Sequence, residues 1–163
     1  MIGDRWGVTN AEMSLHYPCD DLVLNPAWQA WRGVTVDASP DVVWPWIAQI
    51  RLAPYSYDWI DNRGRRSPRE LRGLAEPEVG EQFSATAGRP LGKILAVEPG
   101  VHLTAKIMGV YMSYVLQSTG QSTRLLLKLA APSGRALGPL LAVGDLVMAR
   151  RQLLNLKALA EGE

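Results

Sequence analysis

Charge of one sign is missing from this chain: 17 basic and 16 acidic side chains leave a formal net charge of +1, so no global field draws it onto nucleic acid. Cysteine is almost missing too. Cys19 stands alone and cannot close an internal disulfide, and the N-terminus lacks the basic start and apolar core of a signal peptide, which together predict a reducing, cytoplasmic setting. No apolar run reaches the roughly 20 residues that a membrane span needs. The longest candidate, 137–148, is broken by Asp145. There is no Gly-x-Ser-x-Gly elbow and no glycine-rich phosphate loop opening a helix, which disfavours nucleophilic hydrolysis and nucleotide binding. Histidine is scarce: His16-x-x-Cys19 stands alone with His102 far off in sequence, whereas a structural zinc site wants four ligands. No metal and no cofactor is implied.

Phenylalanine is nearly absent, one residue against six Trp and five Tyr. Buried Trp and Tyr need partners for their N–H and O–H, so the skew suits places where an apolar wall meets something polar, such as a cavity mouth. What the chain does have is the bulk of a single domain: 163 residues, 47% hydrophobic and 20% charged, enough for a self-supporting core.

Residues 1–28 show no clean period and carry Pro18, Pro26 and the pair Asp20 and Asp21, so they read as an irregular lead segment packed over the outside, with one helical turn near Asn10 to Met13. A single domain over 29–163 follows. Alternation of Val34 and Val36 with Thr35 and Asp37 predicts a first strand near 28–38. Ser39 as N-cap, Pro40 at the first helical position and Asp41 on the positive end of the dipole then open a helix to about Ile50, with a bend expected at Pro45. A second short helix is expected over Tyr55 to Asp61. Strands are predicted near 80–87, 92–98, 102–108, 111–118 and 123–131, with Pro99-Gly100 placed for a type II turn. Met112, Tyr114 and Leu116, and Thr123, Leu125, Leu127 and Leu129, share one face by alternation, which leaves Arg124 and Lys128 for water.

Pro132-Ser133-Gly134 breaks the sheet, and from about Pro139 the period turns helical to Glu161: Ala142, Leu146, Ala149, Leu153, Leu156 and Ala160 recur at spacings of four and three as one apolar stripe. Such a helix, about 30 Å long, can cross a domain. The fold class read from this order is α+β, a curved antiparallel sheet of about six strands wrapped around a long C-terminal helix, with two short helices after the first strand. One cylinder about 10 Å wide does not fill the hollow of a strongly curved sheet, so an apolar space is expected between them.

Several segments carry a family likeness. They are Arg5-Trp6-Gly7-Val8-Thr9 with Glu12, Pro18 with Asp20-Asp21-Leu22-Val23, Val43-Trp44-Pro45-Trp46-Ile47 with Gln49, and 55–62. Val97-Glu98-Pro99 with Leu103, and Thr123-Arg124-Leu125, extend it to the later strands. In these the sequence resembles the SRPBCC superfamily of START-related helix-grip proteins, and within it the polyketide cyclase/dehydrase-like bacterial members. The resemblance implies a helix-grip fold and a hydrophobic pocket for a lipid, polyketide, sterol or similar molecule. Relatives often place a tryptophan on the strand where this chain has Met112 and Tyr114.

The contacts expected in such a pocket are Trp46, Gln49, Tyr55, Tyr57, Trp59, Phe83, Met112, Tyr114, Leu127 and Leu146, with Met108 and Met148 as soft walls. Tyr55, Tyr57 and Trp59 also suit a plug of core at the sheet end, and Asp58 and Asp61 suit caps or arginine partners as well as polar anchors. The resulting expectation is binding of a small hydrophobic ligand, for transport, sequestration or sensing, by a monomer or homodimer. The alternative is a cyclase, aromatase or dehydratase using the same cavity, with Tyr57 or Asp58 moving protons. Arg63, Arg65, Arg66, Arg69 and Arg72, opposed only by Glu70, form either a solvated loop or a surface for an anionic headgroup or partner.

Overall fold

Local chemistry sets the elements in the order the sequence suggests, and the computed structural model describes them over residues 4–55, 64–132 and 139–162, with side chains of the last stretch from 148 onward. The lead segment holds β1 (Arg5–Trp6), α1 (Asn10–Met13) and a 3-10 turn (Pro18–Asp21). Next come β2 (Trp28–Val36) and α2 (Pro40–Ala48), which tightens into a 3-10 turn over Gln49–Arg51. The meander is β3 (Gln82–Thr86), β4 (Arg89–Glu98), β5 (His102–Ile107), β6 (Val110–Thr119) and β7 (Ser122–Ala131), and α3 (Pro139–Ala160) closes the chain. The second short helix expected after Tyr55 lies outside the described residues, as does Arg63.

The strands among the described residues form one curved seven-stranded sheet in the order β1-β2-β7-β6-β5-β4-β3, antiparallel except where β1 runs parallel to β2. The seventh strand is β1, two residues long and too short to show a period. Register explains the shared face: Met112 lies opposite Leu129, Tyr114 opposite Leu127 and Leu116 opposite Leu125. These side chains turn inward with Val34, Val36 and Leu103, and α3 lays Ala149, Leu153, Leu156 and Ala160 against the same core. The turn after β4 closes as its residues demand, with Gly100 at φ 79° and Val101 N–H donating to Glu98 O at 2.9 Å. Ser39 stands at the N-cap of α2, but its side chain makes no capping bond; its carbonyl accepts from Val42 and Val43 N–H instead.

The outer face of the sheet departs from the sequence reading. Arg124 and Lys128 do not stand in water, because the lead segment covers them. Arg124 grips Glu12 through Nε at 2.8 Å and Nη2 at 2.9 Å, and also donates to Gly7 O at 2.7 Å. Lys128, 5% exposed, pairs with Asp20 and sits over the Trp31 ring. Beside them Val8, Tyr17, Cys19 and Leu126 make a second small core, its polar edge closed by Cys19 N–H donating to Ser113 Oγ at 2.9 Å. Burial pushes the Cys19 thiol up and the Tyr17 phenol to about 12. Alternation alone marks these positions as solvent-facing; only a lead segment carrying acids at 12 and 20 makes them interior.

Two predictions follow from this cover. A Cβ on Gly7, whose φ is 68°, would stand 2.2 Å from the backbone oxygen of Gly33, so Gly7→Ala should lower stability by about 2 kcal/mol or more in urea unfolding. The hydrogen bond and charge of Arg124 hold the Glu12 carboxyl below its ordinary value of 4.5. A depressed folded pKa contributes stability above the ordinary value that disappears as pH falls through the folded one. Glu12→Gln should therefore cost about 1–2 kcal/mol at neutral pH and remove that part of the acid sensitivity, measured as unfolding midpoints between neutral and acidic buffer.

Candidate functional site: a cavity between sheet and helix

A single helix leaves the hollow of the sheet partly open, and the structure has a cavity of about 340 Å³ there. Phe83, Leu91, Ile107, Met112, Leu127 and Leu129 supply its apolar wall from β3 to β7, and Met148 and Ala149 close it from α3. Met108 stands at the rim, 85% exposed. It occupies a two-residue hairpin turn between Ile107 and Val110 with φ 49°, followed by Gly109 at φ 83°. Positive φ at both central residues is the mark of a type I′ turn, a place where asparagine or glycine is usual and methionine is strained.

Four polar side chains meet this wall: Ser84, Thr86, Tyr114 and Gln152. Tyr114 O–H donates to Gln152 Oε1 at 2.5 Å, and Gln152 Nε2 donates to Pro54 O at 2.7 Å. One turn along α3, Asn155 Nδ2 donates to Tyr55 O at 3.0 Å. The helix is thus tied both to the sheet and to the end of the α2 segment, which fixes the width of the space between them. Ser84 is 2% exposed, and its hydroxyl has no hydrogen-bond partner among the described residues. A buried hydroxyl left without a partner is costly unless something else satisfies it.

Of the contacts expected from sequence, Phe83, Met112, Tyr114 and Leu127 lie together in this wall. Tyr57 and Trp59, and the side chain of Leu146, lie outside the described residues. Trp46, Gln49 and Tyr55 are buried but are not among the wall residues. The Trp46 ring meets Tyr55 edge-on at 6.4 Å. Gln49 spends its amide on the arginine segment: Nε2 donates to Tyr55 Oη at 2.8 Å and Glu70 O at 2.9 Å, and Oε1 accepts from Arg72 N–H at 2.8 Å. Tyr55 O–H in turn donates to Pro68 O at 2.6 Å. Gln49 and Tyr55 thus hold the strap over 67–72 onto the α2 segment, with Trp46 packed on the Tyr55 ring. Arg69 and Arg72 on the strap, and Arg65 and Arg66 just before it, are exposed.

Sequence reasoning passed over Ser84, Thr86, Leu91, Ile107, Ala149 and Gln152 as contacts. Gln152 had a signal, since it follows the stripe residue Ala149 by three and so lies on its face. Ser84 had none, because β3 is buried at Phe83, Ser84 and Ala85 alike and alternation cannot choose a face there. Among the described residues Glu12, Tyr17, Cys19, His102 and Glu161 are displaced from their ordinary pKa, and these five lie away from the wall. His16 turns to Asp21 at 3.2 Å. Among the described residues no helix is long and apolar enough to cross a membrane.

Neither the protein-family models nor the curated proteins include a match to this sequence. Solved structures do match. Protein MLL2253 from Mesorhizobium loti is 18% identical over 80% of this chain and 95% of its own, with a TM-score of 0.53. A conserved protein of unknown function from Enterococcus faecalis, EF2215, is 13% identical over 86% of this chain and 75% of its own, TM-score 0.59. An AHSA1-like protein from Rhizobium etli is 17% identical over 83% of each chain, TM-score 0.52. The chain has the helix-grip fold. The shared fold is the one that the resemblance noted in the sequence implies. Identity at this level speaks for the helix-grip architecture and leaves the contents of the cavity to its own residues.

If the Tyr114 to Gln152 bond sets the spacing of helix and sheet, Tyr114→Phe should cost about 1–2 kcal/mol in thermal or urea unfolding and speed hydrogen exchange around Gln152 and Pro54. Unchanged exchange there would remove Gln152 as the tie.

Proposed function

We propose that this protein binds a small, largely apolar molecule reversibly between the inner face of its sheet and α3, for carriage, sequestration or sensing. The observation that carries this reading is the cavity of about 340 Å³, walled by aliphatic, aromatic and methionine side chains yet holding the unpartnered Ser84 hydroxyl. Small-molecule sites span roughly 300–1,000 Å³ and combine apolar walls with a few placed polar groups. A volume near the lower limit suits a short acyl chain or a few fused rings. Phe83, Met112, Tyr114 and Leu127 would pack on such a body, and Ser84 would bond one oxygen or nitrogen of it. Met108, Met112 and Met148 adapt to shapes that rigid side chains refuse.

A cyclase-type reading needs an acid or base tuned by its surroundings. Among the described residues Glu12, Tyr17, Cys19, His102 and Glu161 are displaced from their ordinary pKa and lie away from the wall, and Tyr57 and Asp58 lie outside the described residues.

The test is thermal stabilisation by a panel of fatty acids, flavonoids and polyketide-like aromatics, with a saturable shift of about 2.7 kcal/mol at a hundredfold excess over Kd. Met112→Trp, which fills the cavity with a larger ring, should abolish the shift while the protein still melts cooperatively. No stabilisation by any class, or a shift that Met112→Trp leaves intact, would overturn the reading.

A further inference from the structure

The cavity rim lies at one end of the sheet, where two hairpin turns project side by side: Ala87-Gly88 between Thr86 and Arg89, and Met108-Gly109 between Ile107 and Val110. Both are two-residue turns with positive φ throughout. Their chemistry is one-sided. From residue 82 to residue 144 the only carboxylate is Glu98, and it sits in the turn at the opposite end of β4. The two hairpins carry Arg89, Lys93 and Lys106, all exposed and without an ion pair among the described residues. Lys93 and Lys106 are direct partners across β4 and β5. Like charges placed opposite one another weaken a sheet; Lys106 lies 5.0 Å over the Tyr111 ring, a contact that supplies no counter-anion. The Arg65 guanidinium adds to this end, standing where a Cβ on Gly88 would meet it at 3.1 Å.

At the tip between these cations Met108 is held outward, 85% exposed, by a backbone conformation that disfavours it. An apolar side chain on a projecting turn, at an end of the sheet that carries Arg89, Lys93 and Lys106, matches a surface whose outer layer is anionic and whose next layer is apolar. An acidic protein would satisfy the cations but offers no such layer to a lone methionine on a hairpin tip. We infer that this end of the sheet docks on an anionic lipid surface, with Met108 entering the acyl boundary and Arg89, Lys93 and Lys106 meeting phosphate headgroups. The cavity rim would then face the membrane, so a hydrophobic ligand could pass between bilayer and protein without crossing water. The docking itself stands on the surface residues and does not need the cavity to be filled.

Cosedimentation of the full chain with vesicles tests it. Binding is expected to phosphatidylcholine vesicles containing about 30% phosphatidylglycerol and not to phosphatidylcholine alone, falling at least about fivefold when salt is raised to about 0.5 M. The double variant Arg89→Glu, Lys106→Glu should lose about tenfold or more in vesicle affinity while keeping its melting behaviour and its stabilisation by a soluble ligand. Met108→Asp should lose vesicle binding and Met108→Leu should keep it. Equal binding to both vesicle types, no binding to either, indifference to the charge reversals, or capture by an acidic carrier protein with vesicles refused would each overturn the docking. None of these outcomes bears on ligand uptake, which the stabilisation assay reads separately.

Discussion

A straight helix and a sheet bent around it have different curvatures, so space remains between them wherever the side chains are too small to fill it. In this protein the mismatch is shared unequally along α3. Toward its C-terminal half Leu153, Leu156 and Ala160 pack solidly against the β2 side and α2, and Lys157 reaches the Thr35 carbonyl at 2.9 Å. Further toward its N-terminal end, at Met148 and Ala149, the sheet has curled away and the space opens. Gln152 stands at the boundary between the two regimes. Its bonds to Tyr114 and to the Pro54 carbonyl hold helix, sheet and α2 segment at one spacing, so the cavity does not close by collapse.

Holding a sheet curved also requires that its convex face be something other than bare. The lead segment does this with ion pairs as well as apolar contact: Glu12 is held by Arg124 and Asp20 by Lys128, across more than a hundred residues of sequence. Burying a charged pair gains little unless its remaining hydrogen-bonding groups are satisfied. Arg124 meets that condition through Gly7 O and Thr35 Oγ1, and the Lys128 ammonium lies near the Tyr17 and Trp31 rings. The close crossing of Gly7 over Gly33 lets the backbone come near enough for these contacts to form.

The inner face was legible in the sequence because strand alternation and the helical stripe each report burial on one side of one element. That is why Met112, Tyr114 and Leu127, opposite or adjacent across β6 and β7, could be placed toward a common space from spacing alone. The outer face was not legible for the same reason: Arg124 and Lys128 alternate out of the core, and period alone is silent about a partner that arrives from residue 12 or 20. Gln49 and Tyr55 show a related limit. Their burial was readable from the helix face and the aromatic run, but the direction of their polar ends depends on a strap from 67 to 72 that has no period at all. Side chains whose partners lie in irregular segments are the ones that sequence pattern assigns to the wrong task.

The same reasoning bears on how a ligand would be chosen. In the wall most polar capacity is already spent: Tyr114 and Gln152 satisfy each other, and Gln152 has turned its amide to Pro54. A ligand that needed several hydrogen bonds would have to break these and loosen the tie that keeps the cavity open. One that brings a single polar atom to Ser84 and otherwise presents hydrocarbon leaves the tie intact and removes the cost of an unpartnered hydroxyl. Selectivity would then rest less on attraction than on exclusion, since polar competitors lose more water contacts on entry than the wall can return.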